Sequence, residues 1–213
     1  MIRLILATLL AAAALSNADA AVSTETAGVG VITSSNVYDD RAWAGIPVVS
    51  DFKTVVKSGT PPPRTSCALA RSEASLFVRC IAYQNMSTVE DGVMDSKAQQ
   101  GDYIAVALTV DTNPKSIKQF VFYENPRGDR FSMGNAEIHL GDWGGRVISM
   151  ADSWIATFAI PFKSLGAPGN WSTWKVGVLR TITDSVPVVW PYVVGVDPLS
   201  PQASAALVDA NKR

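Results

Sequence analysis

The groups that do chemistry are sparse in this sequence. One histidine, His139, occurs in 213 residues. A zinc site on paired histidines cannot be built from it, and a Ser-His-Asp triad would depend on His139 alone. Carboxylates are commoner. Asp102, Glu124, Glu137, Asp142 and Asp152 include pairs of the kind a glycosidase sets facing each other across a cleft. No motif marks a nucleophile or a general acid among them, and acids beside turns generally cap backbone or meet solvent. Asp39, Asp40, Asp102 and Asp111 offer hard oxygen ligands for a structural calcium ion, though without an EF-hand spacing. His139 with Met86, Met94, Met133 or Met150 has the donors for a haem. The c-type attachment motif is missing, and alternation in Glu137-Ile138-His139-Leu140 turns the imidazole away from its apolar neighbours. The chain therefore reads as non-enzymatic and without a cofactor, the calcium ion apart.

The six tryptophans are the other chemical resource, because a flat apolar ring with a polar edge matches the CH face of a pyranose. Trp43, Trp154 and Trp174 read as core or strand-end packing, and Trp171 as a loop ring that either caps the core or meets ligand. Trp143, within Gly141-Asp142-Trp143-Gly144-Gly145, falls on a tight turn, either exposed for stacking or folded back onto a sheet. Trp190 and Tyr192 alternate with Val189 and Val193 and so share one strand face. With Tyr83 they form the best candidate aromatic patch, making Trp190, Tyr192, Trp143 and Tyr83 the sugar-binding candidates.

The elements that must position these residues are strands. Short runs rich in Val, Ile, Phe, Tyr and Thr occupy 48–57, 65–71, 76–83, 103–109, 117–124, 137–140, 146–149, 154–160, 175–181 and 188–194, divided by Gly, Pro, Asn and Asp. Such spacing predicts an all-β fold, an antiparallel β-sandwich of jelly-roll or immunoglobulin-like type. Residues 1–20 precede it: Arg3, an apolar run from Leu4 to Leu15 broken by Thr8, and Ala18-Asp19-Ala20 make a secretory signal peptide cleaved after Ala20. The run is too short to span a membrane, so the chain is expected to be secreted or periplasmic. One domain then occupies 21–196, followed by a polar, Ala-rich tail at 197–213 that forms a short helix or frays. A net charge of −1 argues against nucleic acid as a partner.

An oxidising compartment gives the two cysteines a meaning. If 65–71 and 76–83 pair around Ser72-Glu73-Ala74-Ser75, Cys67 falls directly opposite Cys80, close enough for a disulfide. Two reduced core thiols are the alternative.

Several segments, taken in order, resemble the family 9 carbohydrate-binding modules. They are Asp39-Asp40-Arg41-Ala42-Trp43 before Asp51-Phe52, Leu76-Phe77-Val78, Gly101-Asp102 leading to Asp111, and Phe120-Val121-Phe122-Tyr123-Glu124-Asn125-Pro126-Arg127-Gly128. The fullest match is Trp154-Ile155-Ala156-Thr157-Phe158-Ala159-Ile160-Pro161-Phe162-Lys163-Ser164-Leu165-Gly166, followed by Trp174 and Arg180. The resemblance spans residues 30–195 and implies a β-sandwich that binds polysaccharide or oligosaccharide, commonly beside glycoside hydrolases. The family's sugar-contacting positions depart from the pattern. Its sandwiching Trp falls near Gln99 or Gln100, a hydroxyl-binding Glu on Ala105, a basic residue near Val121, and an acid on Thr157. A second sandwiching Trp would lie within 194–203, where no aromatic stands. The alternative on this scaffold is a non-enzymatic cell-envelope module that has lost its sugar site and serves a structural or protein-interaction role, with an envelope or secreted protein as partner.

Overall fold

β-branched and aromatic side chains at every second position build the strands, and their inward halves build one core. The computed structural model describes residues 23–56, 61, 63–90, 92, 100–111, 117–134, 143–166 and 171–210. The 1–20 leader, the 137–140 strand with His139, and Gly59, Thr60, Pro62, Met94, Gln99 and Asp142 lie outside the described residues. In chain order the strands are β1 (Thr26–Val31), β2 (Val48–Val49), β3 (Lys53–Thr54), β4 (Thr65–Arg71), β5 (Ser75–Tyr83), β6 (Tyr103–Asp111) and β7 (Lys118–Glu124). They continue as β8 (Arg130–Gly134), β9 (Gly144–Ser149), β10 (Ser153–Pro161), β11 (Lys175–Thr181), β12 (Val188–Trp190) and β13 (Ala205–Asp209). No helix among the described residues is long and apolar enough to cross a membrane.

Hydrogen bonding runs β8-β7-β6-β11-β13-β1-β4-β5-β10-β9, with β12 joined to β11 and β3, and β2 to β4. The path folds back on itself into the two layers of a β-sandwich. At the corner β11 gives only Lys175 and Val176 to β13, while Val178, Leu179 and Arg180 pair with β12. The hairpin of β4 and β5 has the expected register. Ser72 Oγ accepts from the N–H groups of Ala74 (3.2 Å) and Ser75 (3.1 Å), which tightens the turn. Cys67 meets Cys80 with 4.1 Å between Cα atoms, and the two are joined as a disulfide.

Three expectations are corrected. The 48–57 run is broken into β2 and β3, with Phe52 between them turned into the core. The sandwich is not wholly antiparallel: β1 runs parallel to both β13 and β4. The stretch read as the 197–213 tail is described as far as residue 210, and there it is not frayed, because β13 lies between β1 and β11 and buries Ala205 and Leu207. Its alanines favour helix in isolation, but a strand slot with open hydrogen bonds on both sides overrides that weak preference. The segment belongs to the domain.

The layers meet over Leu69, Val78, Trp154 and Phe158 on one side and Ile104, Val106, Phe122 and Val178 on the other, all fully buried. Each such side chain contributes about 1.5–3 kcal/mol through burial. One cation sits among them. Arg180 donates from Nη1 to Arg64 O (3.0 Å) and Thr65 Oγ1 (3.1 Å), and from Nη2 to Tyr83 O (3.1 Å) and Gln84 Oε1 (2.9 Å). It thereby ties β11 to both strands of the disulfide hairpin. Burial lowers its guanidinium to about 10, with the Asp102 carboxylate pulling the other way.

Candidate functional site

Each layer has an outer face, and the two are covered differently. On β6, β7, β8 and β11 the outward side chains are Ala105, Ala107, Val121 and Tyr123, joined by Tyr103, Phe131 and Leu179. The rings interlock: Tyr103 and Tyr123 stand 5.7 Å apart edge to face, and Tyr123 and Phe131 5.9 Å apart. Leu199, from the loop between β12 and β13, packs on top, and Gln119 Nε2 donates to its carbonyl. Tyr123 donates to Met133 Sδ at 3.2 Å, and burial, with Tyr103 and Asp197 nearby, pushes its hydroxyl up to about 12. The positions where the resemblance expects a Glu and a basic group, Ala105 and Val121, are thus part of a closed apolar layer.

On the other layer, period-2 alternation sends Phe77, Arg79 and Ile81 outward from β5, while Leu76, Val78 and Cys80 enter the core. The Cys67–Cys80 bond holds that register, so Arg79 cannot slip to the inner face. The chain between β1 and β2 crosses this face. Its close approach requires small residues beneath it: a Cβ at Gly28 would stand 3.0 Å from Pro47 Cγ, and one at Gly30 2.8 Å from Ile46 Cγ1. Ile32 and Val37 bury themselves against Ala70 and Phe77, with Trp43, Ile46 and Ala159 around them. Asp39 accepts from Arg41 N at 2.9 Å and starts the 3-10 turn Asp40–Trp43, and Trp43 Nε1 donates to Val37 O at 2.8 Å. The indole is therefore fixed in place.

This cover stops short of the sheet's far end. The gap is a cleft of about 400 Å³ lined by Trp43, Arg79, Asp40, Ile81, Ile155 and Met150. Arg79 Nη2 pairs with Asp40 Oδ1, and the guanidinium carbon stands 5.7 Å from the centre of the Trp43 ring. Arg79 is only 8% exposed while the Asp40 side chain is 77% exposed. Arg79 thus forms the cleft's charged floor and Asp40 a solvated gate beside it. Val48 and Met150 are exposed at the rim. A clamped aromatic plane, apolar walls and one ion pair can hold the CH face of a ring and hydrogen-bond its substituents.

The four aromatic candidates fall elsewhere. Trp143 and Trp190 are each 4% exposed, which corrects the expectation of platforms at those two positions. Trp143 packs on Phe122 (5.2 Å) and is stacked on Phe158 (6.0 Å), so apolar contact outweighs exposure on its turn. Trp190 ends β12 facing Val178, and Tyr192 lies beyond that strand, exposed, so the two share no strand face. Tyr83 is half-buried beneath the Arg64 guanidinium at 4.3 Å. Among the described residues no ring contact joins these four.

Nor are the aspartates gathered. Asp39 and Asp40 lie on the cover turn, whereas Asp102 is buried at the start of β6, accepting from Gln84 Nε2 (2.7 Å), Glu90 N (3.2 Å) and Thr183 N (2.6 Å). Among the described residues no three His, Cys, Asp or Glu side chains converge on a metal position. Glu124 is buried on the inner face, where a Cβ on Gly145 would collide with its Oε1, and neither carboxylate oxygen has a hydrogen-bond partner among the described residues. Burial pushes its carboxyl up to about 8, opposed by Arg130. The cleft residues were passed over because Asp39-Asp40-Arg41-Ala42-Trp43 reads as scaffold. The available signal was Arg79, a charge next to a core cysteine on an otherwise apolar strand.

No family model matches the chain, and no curated protein matches it in sequence. Solved structures do match in shape. A family 9 carbohydrate-binding module from Caldicellulosiruptor kristjanssonii, in complex with cellotriose, superposes with a TM-score of 0.64 at 13% identity, covering 87% of this chain and 94% of that one. A structure of a module of the same family and organism, in complex with glucose, gives 0.61 at 14% identity, covering 88% and 97%. From β1 to β13, this chain has the fold of the family 9 carbohydrate-binding modules.

Proposed function

We propose that this chain is a secreted or periplasmic, non-catalytic module that binds an oligosaccharide in the Trp43–Arg79 cleft. The observation that carries the reading is the clamped Trp43 ring bordering a gap of about 400 Å³, with a hydrogen-bonding ion pair beside it. It is supported by the fold, whose solved neighbours hold cellotriose and glucose. In this reading the indole takes the apolar face of the sugar, while Arg79 and Ser66 meet its polar substituents. The module would serve carbohydrate breakdown by bringing polysaccharide to separate hydrolases.

Calorimetry against a panel of soluble oligosaccharides tests this. We expect binding that Trp43→Ala weakens about tenfold or more, as loss of a central aromatic anchor does. Lys118→Ala, an exposed change at the start of β7 in the opposite layer, serves as the control and leaves affinity unchanged. Absence of binding to every sugar at millimolar ligand would overturn the reading. A second reading, an envelope module that takes a protein partner, draws on exposed Val48 and Met150 at the rim. It would gain if Met150→Asp abolished retention of a purified envelope partner while no sugar bound.

A further inference from the structure

The outer face of the β4-β5-β10-β9 layer carries a pattern that the cleft alone does not show. Strand register aligns Ala68, Arg79, Thr157 and Arg146 in one cross-strand row. Directly paired residues share a face, so both arginines project from the outer side, with their backbones about 10 Å apart across two strand spacings. Each is carried on an aromatic ring of the cover: Arg79 over Trp43 at 5.7 Å, and Arg146 over Tyr38 at 5.4 Å. The adjacent row, Ser66, Ile81, Ile155 and Ile148, is almost wholly apolar. Of the acids on the cover turn, Asp39 is engaged by Arg41 N, leaving Asp40 as the carboxylate that faces Arg79. The cleft therefore has a nearly buried cation at its floor, apolar walls and a single solvated anion, and a second cation, Arg146, stands beyond it in the same row.

We infer that the ligand is an acidic saccharide, a uronic-acid oligomer whose carboxylate takes the place of Asp40 on Arg79. This rests on the sugar-binding reading above and specifies its substrate class. A planar guanidinium fork matches a carboxylate in two parallel hydrogen bonds, and its partial burial strengthens them. Asp40 is then an internal competitor: it neutralises Arg79 in the free protein and yields to solvent when the ligand arrives. Arg146 adds positive potential along the path of the next sugar acid.

Calorimetric titration of the intact protein with trigalacturonic acid, cellotriose and a sulfated trisaccharide separates the outcomes. Trigalacturonic acid is expected to bind about tenfold or more tightly than cellotriose at low salt, with the gap narrowing as salt is raised. Asp40→Asn should tighten trigalacturonic acid several-fold, and Arg146→Ala, an exposed change that leaves folding intact, should weaken it several-fold. Cellotriose binding as tightly as trigalacturonic acid, or Asp40→Asn weakening both alike, overturns the acidic-ligand inference while leaving sugar binding in place. Preference for the sulfated sugar overturns the carboxylate assignment. Silence from all three, in a protein with native circular dichroism, overturns the binding reading itself.

Discussion

The two outer faces of this sandwich start from the same strand geometry and end in opposite states. On β6-β7-β8-β11, Ala105, Ala107 and Val121 leave room that Tyr103, Tyr123, Phe131 and Leu199 fill. On β4-β5-β10-β9, the cover from β1 to β2 is pinned by Gly28, Gly30 and the Trp43 hydrogen bond, and it ends at the cleft that Ile81 and Ile155 line. A face becomes a site where its cover is rigid and too short. It becomes core where a loop carries a side chain that fits. The positions where the resemblance expects a Glu and a basic residue, Ala105 and Val121, lie on the closed face, and the open cleft lies on the opposite layer.

The largest effect should come from Arg180, which fastens the layers and hence both faces. Arg180→Ala leaves the Thr65 and Gln84 side chains and two carbonyls without their donor, and is expected to cost about 3–5 kcal/mol. Thermal unfolding measures it as a Tm lower by about 10 °C. Retained stability would mean that the faces are held independently.

Next is Glu124, under the seam where β7 meets β9. Its folded carboxyl lies near 8 against an ordinary 4.5, so the native state holds the proton more tightly than the unfolded chain does. Stability is fully present below about 4.5, falls as pH rises toward 8, and is level beyond. The span is on the order of 5 kcal/mol, and Glu124→Gln should flatten it. Denaturant titrations of both proteins at pH 5 and pH 8.5 give the comparison. An equal slope in the variant would assign the pH dependence elsewhere.

The smallest effect concerns the closed face. Leu199→Ala should cost about 1–2 kcal/mol, below the range for a fully buried leucine because Leu199 is partly exposed. Sugar affinity should not change. A new or stronger sugar site in this variant would show that only Leu199 separates the two faces.

Much of the scaffold was legible because alternation is a local signal. The bounds of β4 and β11 match the runs read from the sequence, and the Cys67–Cys80 pairing follows from counting outward from the turn. β1 and β13 were not legible. Ala27, Gly28 and Gly30 give β1 little pattern, and β13 takes its conformation from neighbours distant in sequence. The site was harder still. The loss of sugar-contacting side chains at Ala105 and Val121 could be seen, but not that Leu199 would seal the gap they leave. Trp143 and Trp190 looked like platforms because burial depends on what packs over a ring, and residue type does not report that.

By itself, then, the sequence determined the class of fold, the register of the β4–β5 hairpin that sets Cys67 opposite Cys80, and the inward or outward side of the residues in that hairpin, since these depend on period-2 spacing and a nearby turn. The tertiary structure alone decided that Arg79 and Arg146 share a row through Thr157, that Trp43 borders a gap, and that β13 closes the sheet. Those facts depend on which strands become neighbours and how far a cover reaches, and both are settled by packing between segments that lie far apart in the chain.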